Sequence, residues 1–416
     1  MVKLHCGDDV LELDIPEKNL VFEIEPQKFE MPADEDAEIV NSINNPIGTP
    51  KLRDMVDSSM NVLILADDRT RLTPQKKIIP LILDELNGAG VPDSQIKVII
   101  AYGTHRKMTD EEVFERFGKA ILDRVEMLHH DCLDKDRLVD KGTTRRGTRV
   151  FVNKDFMDAD FRIAIGGVVP HHPTGWSGGA KILLPGVAGQ ETVCAMHLLG
   201  ATEQQLGKIE TPCRQEMEDF ARQVGLHFIV NVLFDTEGNI FKSVAGDFLE
   251  AHRKAVEYGK QIFGVKVDEL ADITLSSTYP CDYDLTQSDK GLFSAELATE
   301  KGGEIILVSR CPEGIAPTHG GEMAKLAEFD DETLWKMLDA DEVGDRFCAS
   351  ECMYLNHIKR QFKATLMMDP MLTNVMGFYY LAPEDLNEYL KYRLELNSDL
   401  KIGIIRKSGE VLPIPA

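Results

Sequence analysis

The run Val-Leu-Ile-Leu-Ala over 62–66 is apolar at every position and breaks directly into Asp67-Asp68-Arg69-Thr70-Arg71. Ile96–Tyr102 ends likewise in Gly103-Thr104-His105-Arg106, and the run at 161–165 passes through Gly166-Gly167 to His171. Strands that are apolar on both faces need cover on both faces, which is the pattern of a parallel sheet sandwiched by helices. The intervening segments predict those helices. One runs from Pro74 to about Leu86, with Gly88 and Gly90 beyond its end. A second covers 110–117, opened by a Thr109/Glu112 capping box. Thr211-Pro212 opens a third that stops near Gly225. Residues 227–244 read as a hairpin around Glu237-Gly238-Asn239, and Asp247 with Glu250 caps a helix over 248–262.

Beyond about Val267–Leu270 the pattern repeats on a smaller scale. Ala271–Ser276 predicts a strand, 289–300 a helix and Glu304–Ser309 a strand. Helices near 331–338 and 383–393, with strands near 364–368, 374–379 and 401–405, complete this unit. Segment 30–60, rich in Pro, Asn and Asp, predicts loop with one short helix. The expected fold class is α/β, as two α/β domains over residues 1–268 and 269–416. A chain of 416 residues suits two such units at roughly 100–200 residues each.

Composition removes several function classes. With 46 Lys and Arg against 70 Asp and Glu, the net charge is −24, which repels phosphate backbones and argues against nucleic acid. No apolar run approaches the ~20 residues needed to cross a bilayer. The N-terminus turns acidic at Asp8-Asp9 before any apolar core, so no signal peptide is expected. The eight cysteines include no Cys-x-x-Cys pair, so neither a disulfide framework nor a structural zinc site is expected. The expected compartment is the cytoplasm.

Asp68/Arg71, His105/Arg106 and His171/His172 each follow a strand, and in open α/β sheets ligands bind outside the carboxyl ends of the strands. Imidazole exchanges protons near neutral pH, so two such histidines suit acid–base work, although one alone reads as a surface or capping residue. The stretch 166–189 holds seven glycines, three prolines, two His, a Trp and Lys181. It lacks the spacing of a nucleotide-binding phosphate loop, since Ile182 follows the lysine. Lys181 reads either as a partly buried nucleophilic amine or as a lysine reaching solvent. His197 reads as a core histidine or a transition-metal ligand. His129-His130-Asp131-Cys132 offers metal-ligand chemistry, but four consecutive residues cannot all face one ion. Gln287 and Lys290 either cap a helix or reach across a cleft to a carboxylate.

Taken together, Asp68-Arg-Thr-Arg71, Gly103-Thr-His105-Arg106, Pro170-His171, Ser177-Gly-Gly-Ala-Lys181, Pro185-Gly186, His197, and Gln287 with Lys290 resemble the nickel-dependent lactate racemase family of 2-hydroxy acid racemases and epimerases. The resemblance implies a nickel-pincer nucleotide, Ni(II)-pyridinium-3,5-bisthiocarboxylic acid mononucleotide, bound covalently through Lys181. It implies His197 as a nickel ligand, and Asp68, Arg69, Thr70 and Arg71 as contacts to the nucleotide. It further implies His105 and His171 as the two acid–bases and Gln287 and Lys290 as the carboxylate-binding pair. Those last two lie beyond residue 280 and the others before residue 200, so the active site is expected in the cleft between the domains. The implied reaction is racemisation of a 2-hydroxy acid, lactate by default, by reversible hydride transfer through a 2-keto acid. The implied partners are that small molecule and cofactor maturation proteins. A non-catalytic nucleotide- or metal-binding protein on the same scaffold is the alternative, opposed by the intact His105, His171, Lys181 and His197. A nicotinamide-dependent dehydrogenase would need a Gly-x-Gly-x-x-Gly turn, which is absent.

Overall fold

A computed structural model describes residues 1–201 and 203–416. Two six-stranded sheets organise the chain. In the first, the spatial order is Ile240–Gly246, Phe228–Phe234, Phe161–Gly167, Val62–Ala66, Ile96–Ile100 and Glu126–His129. All neighbours are parallel except the hairpin formed by the first two. The expected apolar runs form its centre, and Val62–Ala66 is buried at every position. One face packs Ile64, Ile78, Ile82, Val98 and Phe228, while the other packs Leu65, Ile99, Leu183, Met217 and Phe220. Burial on both faces explains why these strands do not alternate polar and apolar residues.

The second sheet is parallel throughout, in the order Tyr379–Tyr380, Lys363–Leu366, Thr299–Leu307, Ala271–Ser276, Ile402–Ile405 and Leu20–Ile24. Leu20–Ile24 corrects the expectation that residues 1–268 form one unit. The strand pairs with Ile402–Ile405, and the hairpin Val2–Cys6/Asp9–Leu13 packs Leu4 and Leu13 into the core of the same sheet. This pairing joins residues some 380 positions apart, and nothing local announces it.

Several local expectations hold. The Thr109/Glu112 capping box opens Asp110–Phe117, Thr211 caps Pro212–Val224, and the hairpin turns at 235–239. Others need correction. Asp247 accepts from Leu249 N and Glu250 N ahead of the helix Glu250–Phe263, so it precedes the cap position. Segment 374–379, expected as a strand, follows the helix Pro370–Val375, and only Tyr379–Tyr380 is extended. Asp369 caps that helix through Met371 N and Leu372 N, with Pro370 in its first turn. The segment 30–60 holds two helices, Glu35–Asn44 and Leu52–Met55. Arg346–Gln361, at 16 residues, was not expected at all.

The carboxyl ends of the central strands of both sheets open onto one cleft. Asp68 and His105 line it from the first sheet, as do Thr278 and Glu410 from the second. All eight cysteines are free thiols. Among the described residues no helix is long and apolar enough to cross a membrane.

Candidate active site

The cleft encloses about 1090 Å³ of unfilled space, part of it open to solvent. Asp68, Thr70, Arg71, His105, His171 and Lys181 line it from one side, and Gln287 and Lys290 from the other. The two groups touch. Gln287 Oε1 accepts from Lys290 Nζ at 2.7 Å and from Arg71 Nη1 at 3.3 Å. Among the described residues its amide nitrogen makes no hydrogen bond, so its N–H donors remain available, while Oε1 is committed to the two cations.

Each imidazole has its tautomer set by its partner. Asp68, buried at the end of its strand, accepts from His105 Nδ1 at 2.8 Å and from Thr70 N and Oγ1 through its other oxygen. Burial alone would raise the Asp68 carboxyl, but His105, Arg71 and Thr70 outweigh it and hold it well below the usual carboxylate range. With its proton on Nδ1, neutral His105 keeps a lone pair on Nε2. His171 Nδ1 lies 3.3 Å from Thr174 Oγ1, and that hydroxyl spends its only proton on Trp176 O at 2.9 Å. Nδ1–H of His171 must therefore donate, and Nε2 again carries the lone pair. Burial first, then the charges of Lys181, Arg71 and Lys290, push the His171 pKa well below the ordinary imidazole value.

Lys181 sits in a tight turn, Gly179–Ile182, entered through Gly178 at φ +76°. A Cβ on Gly178 would lie 2.5 Å from Val168 Cγ2 and 2.9 Å from Asn231 Oδ1, so only glycine fits this approach. Asn231 Oδ1 accepts Gly179 N–H, Arg214 Nη1 donates to Gly178 O at 3.0 Å, and His252 Nε2 lies 2.9 Å from Ser177 O. Arg214 is 1 % exposed, with a second nitrogen on Trp176 O, so a buried guanidinium holds the loop from beneath. Burial, then Arg71, Lys290 and Arg214, push the Lys181 pKa well below the ordinary lysine value. Lys181 is half-buried and lines the cleft.

His197 lies half-buried on the helix Gln190–Leu198 and is not among the residues lining the cleft. Its Nδ1 donates to Val193 O at 2.9 Å, which leaves Nε2 as an unprotonated donor atom. Burial holds its pKa down to about 4, with smaller effects from Lys181 and His105. Arg69 turns away to Glu313 at 2.8 Å and Glu112 at 3.4 Å, so it forms an ion pair between elements at the cleft rim. His129 and His130 do not meet. One pairs with Tyr102 Oη, the other with Ala188 O and Asn153.

Sequence reasoning missed Arg214, Asn231, His252, Cys281 and Glu410. Cys281 and Glu410 line the cleft, and burial raises the Glu410 carboxyl to about 7 against the opposing charge of Lys407. None has a local signature, since Arg214, Asn231 and His252 act on a loop distant in sequence and Cys281 and Glu410 reach the cleft only in the folded chain. Among the described residues three metal-ligand side chains converge at His319, Asp345 and Cys348. Both ring nitrogens of His319 already face acceptors there, Asp345 Oδ2 at 2.7 Å and Thr104 O at 3.2 Å.

Two α/β domains with opposed strand ends, two imidazoles and the Lys290 cation across from them describe a two-domain cleft enzyme. Models of the lactate racemase N-terminal domain and the lactate racemase C-terminal domain match residues 6–207 and 267–392. The lactate racemase of Thermoanaerobacterium thermosaccharolyticum is 28% identical over 428 aligned positions, covering 99% of this chain and 98% of that protein. That of Lactiplantibacillus plantarum is 33% identical over 301, covering 70% of each. Among solved structures, the lactate racemase apoprotein from T. thermosaccharolyticum superposes with a TM-score of 0.87 at 27% identity, covering 99% of both chains. A Thermotoga maritima protein shares the fold at a TM-score of 0.73 and 19% identity, covering 94% of this chain and 100% of that one. The chain belongs to the lactate racemase family, and it is an isomerase.

Proposed function

We propose that the protein racemises lactate or a closely related 2-hydroxy acid. The observation that carries this reading is the convergence of His105, His171, Lys181 and Arg71 with Gln287 and Lys290 in one cleft, joined through Gln287 Oε1. Both curated relatives bear the name lactate racemase, which favours lactate as the substrate.

The site suits a nickel-pincer nucleotide. Lys181 offers an amine held well below the ordinary lysine value for a covalent bond, His197 offers an imidazole nitrogen of the kind nickel takes beside sulfur donors, and the cleft beside Lys181 has room for a flat ring. Asp68, Thr70 and Arg71 would contact the nucleotide, with Arg69 at the rim. When bound, this group supplies an acceptor for the α-hydrogen together with its electron pair, and returns both.

The chain's own residues manage the rest. Lys290 and the free amide N–H groups of Gln287 bind the substrate carboxylate, which orients C2 in the cleft. Nε2 of His105 or His171 takes the hydroxyl proton of one enantiomer, and the other imidazole gives a proton back when the opposite enantiomer forms. Two bases are required because the hydroxyl points in opposite directions in the two enantiomers. Lys290 is pulled below the ordinary lysine value, to about 8, by burial and Arg71, so a bound anion beside it would raise it again and stabilise its charge. We place the protein in the cytoplasm, with cofactor maturation proteins as its partners.

The test follows conversion of D-lactate to L-lactate by protein isolated with its cofactor. Replacing either His105 or His171 with Ala should slow both directions by ~100- to 10,000-fold. Wild-type turnover in either variant would remove that residue from the proposed pair.

A further inference from the structure

Each proposed acid–base adjoins, in sequence, a residue gripped by the other domain. His172 follows His171 and is buried, 7 % exposed. Its ring stacks face to face on Phe293, with centroids 3.9 Å apart and an interplanar angle of 13°, and Tyr354 meets it edge-on at 5.0 Å. Among the described residues neither buried nitrogen of His172 has a well-formed hydrogen bond, although Gln204 lies beside the ring, so the stacked face makes the main contact. Phe293 lies on the helix Lys290–Glu296, one turn beyond Lys290. Tyr354 also donates its hydroxyl to the carbonyl of His197. On the other side of the cleft, Thr104 precedes His105. Its carbonyl accepts from His319 Nε2 at 3.2 Å, and Asp345 fixes the His319 ring through Nδ1 at 2.7 Å.

Leaving two ring nitrogens unpaired in a protein interior costs stability. Phe or Leu at 172 would avoid that cost. A ring held this way is therefore explained by where it sits, between His171 and the helix that carries Lys290.

We propose that the C-terminal domain positions both imidazoles through these neighbours, the His172–Phe293 stack setting His171 and the His319–Thr104 hydrogen bond setting His105. The inference rests on the acid–base reading of His105 and His171. Packing the second domain against the first thus sets the carboxylate pocket and both proton-transfer atoms together. His172 and His319 are positioning residues, since neither lines the cleft.

The test uses protein isolated with its cofactor, lactate as substrate, and turnover expressed per bound nickel. His172→Ala and His319→Ala should each lower kcat by about 10- to 100-fold, because small misplacements of a reacting group are that costly. KM for lactate should stay within about threefold, since Lys290 and Gln287 are untouched. His172→Phe keeps a flat ring and should restore kcat, and His319→Gln, which can still donate to Thr104 O, should restore part of it. Phe293→Leu, which fills the volume without an aromatic face, should behave like His172→Ala even if that variant folds poorly. Adding His172→Ala to His171→Ala should cost nothing further, because the first residue acts through the second. A purely structural role would instead add its own loss.

Wild-type kcat in His172→Ala or Phe293→Leu, or a His172→Phe variant as impaired as His172→Ala, would overturn the stack as a positioning device. Wild-type kcat in His319→Ala would overturn the other contact. If His105→Ala and His171→Ala themselves retain full activity, the acid–base reading fails. If those two lose activity while the positioning variants do not, only this inference fails.

Discussion

Replacing Asp68 with Asn changes one atom and should invert the tautomer of His105. Asp68 Oδ1 accepts two donors from Thr70, at 2.9 Å from N and 2.5 Å from Oγ1, while Oδ2 faces His105 Nδ1 at 2.8 Å. In the Asn variant the carbonyl oxygen stays with the two Thr70 donors, and the NH2 group turns to the histidine. An amide nitrogen cannot accept, so Nδ1 must present its lone pair and the ring proton moves to Nε2. His105 then has no base to offer the substrate. Loss of one charge-assisted hydrogen bond costs ~1.5–3 kcal/mol of stability, which a folded chain of this size tolerates. Loss of a general base costs ~100- to 10,000-fold in rate, or about 3–5 kcal/mol of barrier at ~1.4 kcal/mol per tenfold. The assay is optical rotation of lactate, with nickel per chain measured alongside because Asp68 also adjoins the proposed nucleotide site. Turnover should collapse with nickel retained and KM little changed. Asp68→Asn enzyme with full nickel and turnover within about threefold of the parent would refute the orienting role.

Acid should destabilise the fold. His130 and His197 are held neutral with values of about 4, against an unfolded value near 6.5, so the unfolded chain binds more protons between those limits. Stability should fall as pH drops through that window by ~1.4 kcal/mol per unit for each group, and urea midpoints unchanged between pH 6.5 and 4.5 would contradict this. Gly178→Ala puts a methyl 2.5 Å from Val168 at a φ of +76°, and calorimetry should find a loss of ~1–3 kcal/mol, with an unchanged melting temperature as the contrary result. In cofactor-free protein, limiting acetic anhydride at pH 7.5 should label Lys181 ahead of surface lysines, because its depressed pKa gives it a larger share of free amine than theirs. Peptide masses showing Lys181 labelled last would contradict it.

Local chemistry was legible in the sequence wherever one short segment carried the whole signal. The Thr109/Glu112 box, the Thr211-Pro212 start and the turn at 237–239 all act within a few residues. The apolar runs disclosed the first sheet because uniform burial shows in composition. Arg346–Gln361 escaped because ten of its sixteen residues are buried, including Ser350, Glu351 and Asn356, so polarity is a poor guide to its buried face. Leu20–Ile24 escaped because its partner lies at the far end of the chain. The same division applies to the site. His105, His171 and Lys181 stand on strand ends and a glycine loop that announce themselves. Arg214 beneath that loop and His319 behind Thr104 act only through folded geometry. The bond between Arg71 and Gln287 spans 216 residues, and only the closed cleft reveals it.

The central claim is racemisation of a 2-hydroxy acid with the α-hydrogen kept out of water and the hydroxyl proton handled by His105 and His171. The most direct measurement gives lactate deuterated at C2 to protein isolated with its cofactor, in ordinary water, and follows both configuration and label by chiral separation and mass. Racemised lactate that still carries its deuterium is the predicted result. Racemised lactate whose deuterium has passed to solvent, or lactate left unracemised by nickel-loaded protein, would contradict the account.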